Sequence, residues 1–260
     1  MSEDLTRRYA LVTGATSGIG KAFAERLAES GYGILAVARR EEPLQQLKRY
    51  LSSQFGADVL VFPADLARSE TPDRILEFAK ENRITVSMLV NNAGFGVPGN
   101  LCDVGWDRHR SCIEVMATAP VRLCYLFAPL MVAGGGGTII NVSSLSAVLP
   151  PHAGGTLYYP VKSFLYQFSL AFHAEMLTEG VRVTTVCPGF TETNFQKAAG
   201  GTVESVAVPK WLWSTPEGVA KAAIAAARRN QPVSIPGLFN KATALFFKLM
   251  PAFIARRVVS

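Results

Sequence analysis

Tyr158 and Lys162 carry the clearest chemistry in the chain. Four residues apart in a helix, the two side chains share one face, so a phenol and an ammonium address the same small volume. A phenol with an ordinary pKa of about 10 exchanges protons poorly near neutrality, and a cation beside it favours the phenolate. Together the two groups form a proton donor. Tyr159 lacks such a partner, because the residue four further on is Ser163. Two serines, Ser143 and Ser144, lie upstream, and a turn with glycines at 14, 18 and 20 opens the chain.

These residues need a frame. Short β-branched runs alternate with longer amphipathic segments, the pattern of a parallel sheet covered by helices on both faces. Strands are predicted at 9–13, 33–38, 58–62, 86–90, 138–142, 181–186 and 232–235, and helices at 19–30, 43–54, 71–82, 106–132, 158–178 and 216–230. The implied fold is α/β: a Rossmann-like, doubly wound parallel sheet of about seven strands. With 260 residues, 49% hydrophobic and 18% charged, and neither linker nor repeat, one domain with a large core is expected over 1–238, followed by an apolar and basic extension over 239–260. Gly134 to Gly137 reads as a helix stop and turn.

The glycine turn stands between a predicted strand and a predicted helix. Glycines there let the backbone approach a pyrophosphate, and the free N–H groups and dipole of the helix start favour an anion. The spacing is GxxxGxG rather than GxGxxG. With Asp65-Leu66, Asn91-Asn92-Ala93-Gly94, Ser143-Ser144, Tyr158-xxx-Lys162 and Pro188-Gly189 following in order, the chain resembles the short-chain dehydrogenase/reductase family over residues 7 to 236.

The resemblance implies hydride transfer between a nicotinamide cofactor and a carbonyl or secondary alcohol. Tyr158 would give or take the hydroxyl proton. Lys162 would bind the nicotinamide ribose and lower the tyrosine pKa, and Ser144 would hydrogen-bond the substrate oxygen. The second serine of the doublet is the usual family position, but the interval to Tyr158 is one residue longer than expected, which leaves Ser143 open. Implied cofactor contacts are Gly14, Thr16, Ser17, Gly18, Ile19 and Gly20 at the turn, Asp65 and Leu66 at the adenine, and Asn91, Ala93 and Gly94 along the sheet edge. Tyr158, Lys162, Pro188, Gly189, Thr191 and Thr193 would lie toward the nicotinamide. At the end of the second strand, Ala38 stands where an acidic residue would repel a 2′-phosphate, and Arg39 and Arg40 follow; this predicts NADP(H) with Arg39 as the main determinant.

One residue departs from the family pattern. Met116 stands where similar proteins carry an asparagine that supports a helix kink and holds a water in the proton relay, and a thioether accepts hydrogen bonds only weakly. Either the water is held otherwise, proton transfer is slowed, or the chain is a weak or inactive NADP(H)-binding sensor or scaffold.

Other classes find little support. The net charge of +6 falls in short doublets without aromatic interleaving, so nucleic-acid binding is not expected. Cys102, Cys112, Cys124 and Cys187 have no CxxC spacing and His109, His152 and His173 are scattered, so no metal site is expected. The N-terminus has neither the cationic start nor the apolar run of a signal peptide, which points to the cytoplasm. Aromatic and aliphatic residues between Phe190 and Trp213 suggest a cover over an apolar small-molecule substrate. The apolar excess on 158–178 suggests a homodimer or homotetramer. For 239–260, packing on the same domain or a partner is preferred to peripheral contact with a membrane, because Pro251 interrupts the helix.

Overall fold

A computed structural model of the chain describes residues 8–151, 155, 157–193, 209 and 212–250. Seven strands form one parallel sheet in the order β3-β2-β1-β4-β5-β6-β7. They are β1 (Arg8–Thr13), β2 (Gly33–Ala38), β3 (Val59–Pro63), β4 (Thr85–Asn91), β5 (Gly137–Val142), β6 (Val181–Val186) and β7 (Val233–Ser234). The chain builds outward from β1 to β3, then crosses to β4 and builds the other way. That reversal opens a crevice at the carboxyl ends of β1 and β4, where open α/β sheets take their ligands.

Burial on both faces explains the continuous apolar strands. Tyr9 and Leu11 of β1 face one core with Leu89, Ile139 and Val183. Ala10 and Val12 face the other, with Ile34, Val90, Ile140 and Val186. The second core is closed by α1 (Gly18–Glu29), α2 (Glu41–Phe55) and α7 (Pro216–Arg228), through residues such as Phe23, Leu47 and Ala223. The first is closed by α3 (Thr71–Glu81), α4 (Trp106–Ile113), α5 (Ala119–Ala133) and α6 (Tyr158–Met176), through Ile75, Cys112, Phe127 and Val161. Among the described residues a final helix, α8 (Leu238–Leu249), follows β7.

The single helix predicted over 106–132 is interrupted. Residues Glu114–Thr118 form a π turn, in which the Ala119 N–H bonds to the Glu114 carbonyl five residues back. Pro120 supplies the physical reason. It has no N–H to give the carbonyl of Met116, so the regular ladder is already broken at that point. By length and composition, residues 106–133 could cross a membrane, but 56% of their apolar window is buried in this fold, as befits a core helix.

Candidate active site

Side chains alternate at a strand end, and this sorts the two serines. Ser143 continues β5, its N–H bonding to the Val186 carbonyl at 2.8 Å. Its buried hydroxyl donates to the Lys162 carbonyl at 2.8 Å, so it is committed to packing α6. Ser144 points the other way and shares a hydrogen bond with the Tyr158 phenol. Its Oγ also accepts from the Ser146 N–H at 3.2 Å, capping a short 3-10 turn over Leu145–Ala147. Of the pair, only Ser144 reaches the phenol. The Leu145 N–H bonds to the Pro188 carbonyl at 2.8 Å, which brings the Pro188-Gly189 loop to the same place.

Tyr158 is the first residue of α6, and Lys162 lies one turn along, 4% exposed. The lysine Nζ donates to the Val142 carbonyl at 2.9 Å and stands 5.9 Å from the centroid of the Tyr158 ring. Gly94 makes room for this: a Cβ there would lie 3.7 Å from Nζ and 2.9 Å from the Sδ of Met116. Met116 is therefore fully buried in the π turn, against Gly94 in the immediate surroundings of Lys162. The local register expected from sequence places the thioether there.

Burial dominates the titration of both groups. It pushes the Tyr158 phenol up to about 12, against the opposing bond from Ser144, with Tyr159 and Cys112 adding to the rise. The net direction is opposite to the lowering expected from sequence, because desolvation dominates; the Lys162 ammonium itself is engaged by the Val142 carbonyl. Lys162 itself falls to about 8, again through burial, with Cys112 and Cys187 resisting. At neutral pH the pair is a neutral phenol beside an ammonium, a proton donor.

A stability measurement follows from the lysine. Between pH 8 and its ordinary value of 10.5, the unfolded chain holds a proton on Lys162 that the folded chain has lost. More protons on the unfolded side means stability rises with pH across that window, and the cost of burying the charge is fully present below pH 8. Lys162→Met removes this contribution. The stability difference between the variant and the wild type should therefore shift in favour of the wild type from pH 8 to 10.5, as read by urea unfolding; a constant difference would contradict the assignment.

The glycine turn is held at the crevice by Thr13 and Asn92. Thr13 Oγ1 accepts from the N–H groups of Asn92 and Ala93, both at 3.0 Å, and donates to the Val90 carbonyl at 3.3 Å. Asn92 Nδ2 donates to the carbonyls of Thr13 at 2.9 Å and Gly14 at 3.3 Å. The signal for both was the motif position of a hydroxyl and an amide at adjacent strand ends. Gly14 has φ +65° and Gly18 φ +52°, and a Cβ on Gly18 would meet Thr193 at 2.8 Å. Thr193 thus covers the turn, whereas the buried Thr191 gives its hydroxyl to the Gly189 carbonyl at 3.0 Å.

The turn fits a dinucleotide. Ser17 precedes α1 without a side-chain capping bond, so the first-turn N–H groups of Gly18, Ile19 and Gly20 are not occupied by that hydroxyl. Both Gly14 and Ala15 donate to the Val37 carbonyl, at 2.8 and 3.3 Å, which ties the turn to the end of β2; Arg39 and Arg40 follow, exposed, with Thr16 half-buried nearby in sequence. Asp65 is exposed and accepts from the Ala67 N–H at 3.0 Å, while Leu66 is buried. Asn91 turns inward instead. Its Nδ2 donates to Asn141 Oδ1 at 2.9 Å, and Asn141 Nδ2 donates to Ser169 Oγ at 2.9 Å, a buried brace from β4 through β5 to α6. Its side chain steadies the sheet and does not face the crevice.

Three comparisons bear on this arrangement. The family model for short chain dehydrogenases matches residues 8–203. The chain belongs to the short-chain dehydrogenase/reductase family. Within this oxidoreductase family it is 32% identical to a sulfoacetaldehyde reductase of Chromohalobacter salexigens over 186 residues, 71% of this chain and 72% of the relative. It is also 32% identical to a very-long-chain 3-oxoacyl-CoA reductase of Anas platyrhynchos over 222 residues, 83% and 67% of the two chains. A short-chain dehydrogenase of Sphingobium yanoikuyae, solved in complex with NADPH, superposes with a TM-score of 0.81 at 28% identity, covering 94% of this chain and 97% of that one.

Part of the expected cover lies outside the described residues, including Phe195, Lys197 and Trp211. Its two ends are described. Thr191 and Ser214 form a bridge, the Ser214 N–H donates to the Phe190 carbonyl at 2.8 Å, and the rings of Phe190 and Trp213 stack at 5.7 Å. The loop at 152–156 that would hold the extra residue before Tyr158 is likewise outside them, except for Gly155.

Proposed function

We propose that this short-chain dehydrogenase/reductase transfers a hydride between NADP(H) and a carbonyl or secondary alcohol of an apolar small molecule. The observation that carries the reading is the meeting of Ser144, Tyr158 and Lys162 at the end of β5, across the crevice from an uncapped glycine turn. When bound, NADP(H) supplies or accepts the hydride. Tyr158, held neutral, donates a proton to the oxygen being reduced, and Ser144 hydrogen-bonds that oxygen as its charge develops. Lys162, a cation below pH 8, favours the phenolate left behind and would bind the nicotinamide ribose. The glycine turn would hold the pyrophosphate, Asp65 the adenine, and Arg39 with Arg40 the 2′-phosphate. The NADPH complex of the Sphingobium neighbour supports this choice of cofactor.

The relatives' names range from a sulfonated aldehyde to a very-long-chain acyl thioester, so the substrate class rests on this chain's own residues. The stacked Phe190 and Trp213 at the neck of the cover support an apolar one. NADPH consumption over a panel of medium-chain and aromatic ketones and aldehydes tests it; turnover confined to charged, hydrophilic carbonyls would overturn it.

A second reading, NADP(H) binding with little or no turnover, is favoured by Met116. Its sulfur fills the space beside Gly94 and Lys162 where a hydrogen-bonding side chain would serve a proton relay. Met116→Asn should raise kcat severalfold while leaving NADPH affinity in place. An unchanged kcat with normal affinity would show that no relay passes this residue.

A homodimer or homotetramer remains our reading of the α5 and α6 faces. A groove of about 690 Å³ runs between them, lined by Ile113, Val121, Tyr125, Pro160 and Phe164, with Tyr125 68% exposed. Apolar surface of that kind on a helix pair fits a self-complementary contact. A cytoplasmic setting is supported by four free thiols, as Cys102, Cys112, Cys124 and Cys187 are unpaired with one another.

A further inference from the structure

Helix α8 is seated on the domain through one side only. Asn240 and Ala244 are buried, and Asn240 donates to the Pro236 carbonyl at 2.7 Å while lying against Gly189, where an added Cβ would come 2.7 Å from its Cγ. At 100° per residue, Leu238, Ala242, Leu245, Phe246 and Leu249 fall on the side away from Asn240 and Ala244. All are exposed, Leu238 at 84% and Leu249 at 73%. Lys241 and Lys248, one above the other in helical register, border this stripe. Five such residues on twelve is more apolar surface than a solvent-facing helix side ordinarily carries.

Charge identifies what covers it. Beyond Glu217 the sequence holds no Asp or Glu, against Lys221, the Arg228-Arg229 pair, Lys241, Lys248 and the Arg256-Arg257 pair. The doublets that look dispersed over the whole chain therefore place its entire positive excess in this last stretch. After the helix the sequence continues in the same character, with Phe253-Ile254 ahead of Arg256-Arg257. A second copy of the chain docked stripe to stripe would bring the same lysines together without an acidic residue on either helix to pair them. An anionic lipid surface satisfies both halves of the pattern, taking the apolar stripe between its headgroups and the lysines against its phosphates.

We propose that α8 docks this protein on an anionic membrane surface, lying flat with Leu238, Leu245, Phe246 and Leu249 inserted. The helix is a dozen residues, about 18 Å, too short to span a bilayer, so the contact is peripheral. Because Asn240 rests on Gly189, the docked helix lies beside the loop that flanks the candidate catalytic residues, with its inserted face turned away from that loop.

Co-sedimentation of the full chain with phosphatidylcholine vesicles, with and without one-third phosphatidylserine, tests the proposal and needs no turnover. Partition onto the anionic vesicles is expected, falling by about fivefold for each of Lys241→Gln and Lys248→Gln, and at least about tenfold for Leu245→Glu combined with Phe246→Glu. NADPH fluorescence titration of each variant checks that the fold is intact. Failure of the wild type to partition overturns the proposal. So does partition that the apolar double variant retains, which would assign binding to another surface. Sedimentation velocity without lipid separates the remaining occupant: a dimer that Leu245→Glu with Phe246→Glu dissolves, in a chain that ignores vesicles, makes the stripe a self-contact instead.

Discussion

Tyr158→Phe is expected to lower kcat for NADPH-dependent carbonyl reduction by about a thousandfold, the middle of the range for removal of a positioned general acid. The substitution deletes one hydroxyl and keeps the ring. The edge contact with Tyr159, at 6.2 Å between centroids, and the position over Lys162 survive, so NADPH affinity should remain of the same order. What disappears is the proton that burial keeps on the phenol at neutral pH and the bond that Ser144 shares with it. Single-turnover NADPH oxidation, followed beside equilibrium titration, separates the two quantities. Activity that outlives the hydroxyl would remove Tyr158 as the acid. A wild type that binds NADPH and oxidises it no faster than the variant would favour the non-catalytic reading.

Arg39→Ala should raise KM for NADPH by about ten- to a hundredfold and leave KM for NADH nearly unchanged. The glycine turn is fixed to the end of β2 by the paired bonds to the Val37 carbonyl, so Arg39, two residues on, is carried by the same clamp as the turn. It is exposed, and among the described residues no ion pair holds it. A guanidinium available to a 2′-phosphate contributes charge-assisted hydrogen bonds of about 1.5 to 3 kcal/mol, which sets the range. NADH has no such phosphate and should not register the loss. Equal changes for the two cofactors would take the specificity away from this residue.

Which features could be read in the sequence follows from what each feature depends on. β2 and β6 coincide with their predicted ranges because strands buried on both faces leave short runs rich in apolar and β-branched residues. The Tyr158 and Lys162 pairing is legible because helical register alone brings them together. Ser143 and Ser144 could not be separated by counting, since the neighbouring loop length was unknown; the alternation of side chains at the end of β5 separates them. The π turn was hidden inside 106–132, a segment so apolar that its periodicity announces a helix and nothing finer; the available signs were Pro120 and the place of Met116 at the position where similar proteins kink. The net direction of the phenol pKa was not legible because register shows that an ammonium is near, while only three dimensions show how deeply the phenol is buried and the Val142 carbonyl engaging the lysine. The inward turn of Asn91 depends on its buried partner Asn141, fifty residues away.

β7 is joined to β6 over just two register pairs, Thr185 with Val233 and Val186 with Ser234. Among the described residues, those beyond it hang from that short seam and from the seats of Asn240 and Ala244, whereas β1 is paired along its length on both sides. Opening of the terminal unit thus breaks few bonds and exposes little new apolar area, so it should require far less free energy than opening the sheet. Amide deuterium uptake should accordingly sweep through 233–249 while β1 and β4 stay protected, and each such excursion lifts Asn240 off Gly189, loosening one wall of the crevice without unfolding the rest.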